Sequence, residues 1–431
     1  MKKFRYCIFS VFISFGFIFN SNAQRIDLIQ TNESGIYKNA QKIDIKLFVH
    51  GQSSDSVYIK IQKNNLKETV SQAVKFKGDT LLVFTGTFYE PTSMIFEATA
   101  KGESASIGLI VEPLIYKPGT SRPKDFDQYW RMEKKALRKL PVEVKSVPVN
   151  VNEAGYKCSD VEINCTGPKP ARGYFAKPEN ALPKSLPIVL YLHAAGVAGL
   201  WCRSEVGNAM RYAKMGNGAL SFDLNAHGML NGQSEEYYKN LETGELKNYY
   251  ISGIENRNDV YFRGMYLRLI RTLDFLTSQP EWDRRRILVI GESQGGGQAF
   301  AAAGLDHRVG AAVAIVPAMC DWGGTLLGRK GGWPQPFDSK NDKDKMIEAI
   351  PYFDTAHLLK GCKATLVTEI GLIDNTCPST SIYAAINQAI GKKISFVVPY
   401  RAHQMAQPAF KETWGRNVGQ PREAFIKDYL D

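Results

Sequence analysis

Ile43, Ile45 and Leu47 alternate with Asp44 and Lys46, and Val57, Ile59 and Ile61 alternate with Tyr58, Lys60 and Gln62. A period of two places each apolar set on one face of a strand and each polar set on the other. Strand-like runs recur at 81–84, 94–98 and 107–111, with turn residues between them. Residues 24–115 therefore predict a small all-β, sandwich-like domain. Past Pro113 the pattern changes: Pro118, Gly119 and Pro123 mark a linker, and Phe126, Tyr129, Trp130, Leu137 and Leu140 recur at helical spacing. Beyond them, 186–192, 219–224, 286–290, 311–316, 364–368 and 394–398 are short apolar runs, often β-branched, separated by helical stretches. Runs of that kind are strands covered on both faces. Residues 116–431 thus predict an α/β domain with a doubly wound, mostly parallel sheet, and no internal repeat is visible.

The first residues change the picture of the chain's N-terminus. Lys2, Lys3 and Arg5 precede an apolar stretch over 6–19, and Ser21-Asn22-Ala23 supplies small residues for cleavage, which predicts a signal peptide over 1–23 and an extracytoplasmic protein, periplasmic or secreted. Cys7 precedes the apolar stretch, so a lipid-modified mature N-terminus is not expected. No later stretch of the 431 residues is apolar enough to predict a membrane span after cleavage. With 44% hydrophobic and 23% charged residues the chain is of ordinary globular composition, which excludes disordered and collagen-like classes. Removing the leader lowers the formal charge of +11 by three. The remaining Lys and Arg are interspersed with acids, as over 338–345, which reads as a solvated loop and argues against a nucleic-acid partner. Of seven cysteines one lies in the leader; were 157–165 one strand, Cys158 and Cys165 would stand about 23 Å apart, so no disulfide is predicted. No pattern specifies an oligomeric state.

Chemistry enters at Gly291-Glu292-Ser293-Gln294-Gly295, which directly follows the run at 286–290 and precedes a small-residue helical stretch, 296–304. Strand, sharp turn and helix are the setting of a nucleophile elbow, and glycines on either side of the serine let the backbone turn without a clash. In that setting the expected fold is the α/β-hydrolase. A serine hydroxyl needs an imidazole in hydrogen-bond reach, itself held by a carboxylate. In the order Ser, acid, His, the candidates are Asp374 and His403, each just after one of the last two predicted strands. Asp321 and Asp354 compete less well from their positions, and His193 and His227 precede Ser293 and are expected to line the pocket. The oxyanion donors should be the backbone N–H of Gln294 and one from the loop 193–199, with Ala195 first and Ala194 and Gly196 as alternatives.

At this point the residues resemble the acetyl xylan esterase and cephalosporin C deacetylase group of carbohydrate esterases. The resemblance covers most of 121–415 and rests on the segment 123–130, the elbow Gly291-Glu292-Ser293-Gln294-Gly295-Gly296-Gly297, Tyr352-Phe353-Asp354, and above all 371–380, which contains Asp374. It implies Ser293 as nucleophile, Asp374 as acid and His403 as base, and hydrolysis of acetyl groups from sugar hydroxyls without a cofactor. Where that group carries Arg-Gly-Gln this chain has Asn225-Ala226-His227, and Gln404 stands where Glu usually follows the histidine.

Insertions at 229–259 and 321–344 bring aromatic residues that could stack on sugar rings or pack a lid. Trp201, His227, Trp322 and Trp333 are the candidate substrate-binding residues. The expected activity is a secreted serine esterase acting on an acetylated carbohydrate. The alternatives are an esterase or peptidase for other acyl groups, or an inactive carbohydrate-binding homologue. No metal-ligand cluster is seen, and the β domain is expected to be a scaffold more than a carbohydrate-binding module.

Overall fold

Ile43, Ile45 and Leu47, the inward set of the first alternation, are fully buried on the strand Ile43–His50. Their strand pairs antiparallel with Arg25–Gln30 and Thr80–Gly86 in a three-stranded sheet. A five-stranded sheet faces it, running Ile36–Tyr37, Glu103–Val111, Thr92–Ala100, Val57–Lys63 and Glu68–Val74 in spatial order. Ile59, Phe96 and Leu109 from this second sheet share one core with Ile43 and Leu47, so the β region is a sandwich closed by burial of one face of each sheet. These observations come from a computed structural model, which describes residues 25–50, 56–66, 68–75, 78–100, 102–404 and 410–431. The expected leader lies outside the described residues, as does the segment 405–409.

The second part is built on a nine-stranded sheet. From one edge the strands are Lys393–Val398, Thr365–Gly371, Ala311–Ile315, Trp282–Glu292, Leu186–Leu192, Leu220–Asn225, Ala171–Pro178, Tyr156–Ile163 and Val144–Val149. The first six run parallel; the last three are joined antiparallel. Ile287, Leu288, Val289 and Ile290 are all buried, as a central strand with helices on both faces requires. On one face lie Phe126–Lys139, Tyr261–Ser278 and Gln294–Leu305; Gln420–Leu430 packs on the other through Ile426 and Leu430. The six predicted parallel runs all become strands within a few residues of their expected limits. The 338–345 run departs from expectation: Asp342 accepts N–H bonds from Asp344 and Lys345 and caps the helix Lys343–Ala349, so only its first half is loop. The six cysteines among the described residues are all free thiols. No helix among the described residues is long and apolar enough to cross a membrane.

Parallel order delivers the loops after Leu186–Leu192, Trp282–Glu292, Thr365–Gly371 and Lys393–Val398 to the carboxyl end of the sheet, which is where such folds hold their sites.

Candidate active site

Between the strand Trp282–Glu292 and the helix Gln294–Leu305 stands one residue, Ser293. Its φ of 55° and ψ of −117° fall where side-chain-bearing residues seldom lie. Surrounding bonds hold it there: its N–H donates to the Ile315 carbonyl at 2.8 Å, and its carbonyl accepts from Gly297 at 3.0 Å and Ala318 at 2.9 Å. The flanking glycines are demanded by contact. A Cβ on Gly291 would lie 2.3 Å from the Gly295 backbone, and one on Gly295 would lie 2.3 Å from the Leu192 carbonyl oxygen.

Asp374 and His403 occupy the loops after the strands Thr365–Gly371 and Lys393–Val398. His403 Nε2 is 2.9 Å from Ser293 Oγ, and its Nδ1 is 2.8 Å from Asp374 Oδ2. Asp374 is fully buried, and its Oδ1 accepts N–H bonds from Thr376 and Cys377, each at 2.8 Å. With Oδ2 as the acceptor, Nδ1 carries the ring proton, and the Nε2 lone pair faces the serine hydroxyl. Nucleophile, base and orienting carboxylate are thus in line, the geometry that nucleophilic catalysis by serine needs. Cys377 adds a third potential metal ligand beside Asp374 and His403, all within 4.8 Å. The donor set does not suit a cation: both Asp374 oxygens and both His403 nitrogens are engaged, and burial pushes the Cys377 thiol well above its usual range, away from the thiolate that binds metals.

The loop 193–199 closes the other side. The Gly196 N–H points to the Tyr249 hydroxyl at 3.3 Å, and its carbonyl is bonded to His227 at 2.9 Å, so Gly196 is committed to packing and drops out as an oxyanion donor. Ala194 and Ala195 remain beside Ser293 on the wall of a cleft of about 480 Å³. Gln294 opens its helix, where the first N–H groups have no partner in the helix itself. Its side-chain Oε1 accepts from Tyr249 at 2.6 Å, which ties the nucleophile's neighbour to the same loop. Trp201 and Trp333 both form part of the cleft wall, and Glu292, Thr376 and Gln404 complete it. A larger groove beside Asp125 and Tyr352, about 1050 Å³, brings no serine–histidine pair together.

Two expected substrate contacts are corrected. His227 is 1% exposed and does not line the cleft. A carbonyl only accepts, so His227 Nε2–H donates to Gly196, and Nδ1 accepts from the Tyr261 hydroxyl at 2.7 Å. Burial, reinforced by the Arg268 charge, pushes its pKa down to about 3, so the ring is a neutral strut behind the loop. Trp322 is equally hidden; its Nε1–H donates to the Trp333 carbonyl at 3.1 Å and its ring packs on Phe262. It anchors the wall that Trp333 presents. His193, the other expected pocket residue, is buried and bonded to Asp223. Asp321 pairs with Arg329, while Asp354 accepts the Asp321, Trp322 and Ala356 N–H groups, so both rival acids brace the 321–344 insertion. Sequence reasoning passed over Glu292 and Thr376 as cleft residues, since their neighbours alone drew notice in the motifs.

Fold and site together define an esterase of the α/β-hydrolase class. A family model described as acetyl xylan esterase (AXE1) matches residues 109–416, and the chain belongs to that family. Acetyl esterase Axe7A of Xylanibacter ruminicola is 28% identical over 376 residues, spanning 85% of this chain and 84% of that protein. The acetyl xylan esterase from Paenibacillus sp. R4 superposes with a TM-score of 0.59 at 26% identity, over 74% of this chain and 99% of that one. Acetyl xylan esterase 1 from Thermoanaerobacterium sp. JW/SL YS485 shares the fold, with a TM-score of 0.57 at 20% identity over 74% of this chain and 98% of that one. The protein is a carboxylic ester hydrolase of the carbohydrate esterase kind.

Proposed function

We propose that the protein removes acetyl groups from the hydroxyls of a polysaccharide or its oligomers, outside the cytoplasm once residues 1–23 are cleaved. The observation that carries this reading is the hydrogen-bonded chain from Ser293 through His403 to Asp374 at a cleft walled by Trp201 and Trp333. Ser293 Oγ attacks the acetyl carbonyl while His403 Nε2 takes its proton, and Asp374 orients the ring and stabilises the imidazolium. The Gln294 and Ala195 N–H groups receive the oxyanion. When the tetrahedral intermediate collapses, His403 gives its proton to the departing sugar oxygen, leaving an acetyl ester on Ser293. Water, deprotonated by the same imidazole, attacks that ester and frees acetate. Proton and acyl transfers all run between groups of this chain, the ester and water.

Trp201 and Trp333 offer flat apolar surface in the cleft wall, which suits the faces of pyranose rings. Acetylated xylan is the substrate class that the names of the relatives suggest. Acetate release from acetylated xylo-oligosaccharides, set beside hydrolysis of aryl acetate, aryl butyrate and a peptide amide, tests the assignment. The expected order is acetylated oligosaccharide and aryl acetate well above butyrate, with no amide cleavage; a preference for the amide or the longer acyl chain would overturn it. N-terminal sequencing of the exported protein should begin at Gln24, and export with the leader intact would contradict that part.

A further inference from the structure

The strands Val57–Lys63 and Glu68–Val74 are joined by a turn whose first residues, Asn64 and Asn65, have positive φ of 54° and 56°. Asparagine tolerates that region better than most side-chain-bearing residues. The turn is pinned to the sandwich: the Asn64 N–H donates to the Ser93 carbonyl at 2.8 Å, and Asn64 Oδ1 accepts from the Ser93 N–H at 3.1 Å. From this footing it reaches into the other half of the molecule. Asn65 is 4% exposed, and its Nδ2 donates to the main-chain carbonyl of Asp374 and to Asn375 Oδ1, both at 3.0 Å. Those partners lie 309 and 310 positions away in the chain. Asn65 Oδ1 accepts from the Ser93 hydroxyl at 3.3 Å, so both ends of the amide are used. Asn375 donates back to Gln62 at 3.2 Å. The Asn64 carbonyl accepts from the Lys330 N–H at 3.0 Å, in the insertion whose Trp333 N–H donates to the Thr376 carbonyl at 3.1 Å.

We propose that Asn65 is a positioning residue for the acid loop, so that the N-terminal sandwich is a working part of the active site and not a separate appendage. The inference rests on the reading of Ser293, His403 and Asp374 given above. The Asp374 carboxylate is fixed from its own loop by the Thr376 and Cys377 N–H groups, and the carbonyl of the same residue is fixed from the sandwich by Asn65. Without that donor a buried carbonyl is left unpaired, and the loop must turn to satisfy it. Rotation about the Asp374 main chain moves its carboxylate, and His403 with it, off the line to Ser293 Oγ. Misplacement by about 1 Å can cost on the order of 100-fold in rate.

The test uses the full mature chain and steady-state kinetics on an aryl acetate, with folded fraction measured by circular dichroism. Asn65→Ala removes the side chain. Asn65→Asp keeps the left-handed turn and the Ser93 contact but removes both donors, and it decides the matter if the alanine variant does not fold. Ile59→Val loosens the sandwich core away from the turn. Both Asn65 variants should lose about 10- to 100-fold in kcat per folded molecule with KM within about twofold of wild type, while Ile59→Val keeps wild-type kcat. A folded Asn65 variant with kcat within twofold of wild type, or a loss that merely follows the unfolded fraction, overturns the inference. Failure of the underlying reading looks different: turnover would then survive in Ser293→Ala. An inert Ser293→Ala alongside unimpaired Asn65 variants would sink the positioning role alone.

Discussion

One oxygen of the Asp374 carboxylate accepts two main-chain N–H bonds, and this fixes what Asp374→Asn would do. The amide must turn its oxygen to Thr376 and Cys377, which aims its NH2 at His403 Nδ1. The ring then holds its proton on Nε2 and has no lone pair for Ser293. The variant should fold normally and lose about 10⁴-fold in kcat on an aryl acetate; a loss below tenfold would show that the ring is oriented by something else. His227 makes a second residue-scale prediction. Its folded pKa is pushed down to about 3 from the ordinary 6.5, so below pH 6.5 the unfolded chain takes up a proton that the folded one refuses. Stability is therefore lost as pH falls from 6.5 toward 3, at about 1.4 kcal/mol per pH unit for this one group. His227→Gln keeps a donor for Gly196 and an acceptor for Tyr261 without the titration. Urea unfolding at pH 7, 6 and 5 should show wild type losing stability relative to the variant as acidity rises, whereas parallel curves would contradict the buried neutral ring. The triad candidates were legible because each follows an apolar run that could only be a covered strand. His227 was not, since a histidine in a loop near a site looks the same whether it faces the cleft or the core.

Among the elements, the cleft is shaped by two loops that each present one tryptophan to it, Trp201 and Trp333. Trp201 is 68% exposed, its indole N–H on the Ala195 carbonyl at 3.0 Å and its ring open to a ligand, while Trp333 is half-buried with its carbonyl held by the Trp322 indole. Trp201→Ala should leave thermal stability nearly unchanged and raise KM for an acetylated oligosaccharide about tenfold, with KM for a small aryl acetate little affected. Equal effects on both substrates would mean that Trp201 shapes the loop and not the sugar site. Alternation and apolar runs exposed most of the strands that frame this site. Val144–Val149 was passed over: its residues are largely exposed on an edge strand and include Pro148, so neither periodicity nor burial marked it. Under the histidine loop, Glu369 binds Arg401 and Arg422, and Arg401 reaches Glu292 beside the nucleophile. No spacing rule links residues 292, 369, 401 and 422; only the strand order of the sheet brings them together.

For the whole molecule, the sandwich meets the acid loop directly, through the Asn65 amide on the Asp374 carbonyl. The Asn64-Asn65 dipeptide reads as a turn from sequence, but where its tip lands depends on packing between distant segments. The six free thiols also belong to this scale. Four of them, Cys158, Cys202, Cys320 and Cys377, are almost wholly buried and burial raises their pKa, so the fold is held by packing and not by cross-links. Thiol titration of the denatured protein lacking residues 1–23 should find six reactive groups without reductant, and reductant should leave the melting temperature unchanged; a count of four or fewer would reveal a disulfide.

Acetate release by pure Ser293→Ala is the most direct trial of the catalytic account. With the native fold verified by circular dichroism, the variant should fall about 10⁴- to 10⁶-fold below wild type on acetylated xylo-oligosaccharide and aryl acetate alike. Turnover within tenfold of wild type would place the reactive group elsewhere and contradict it.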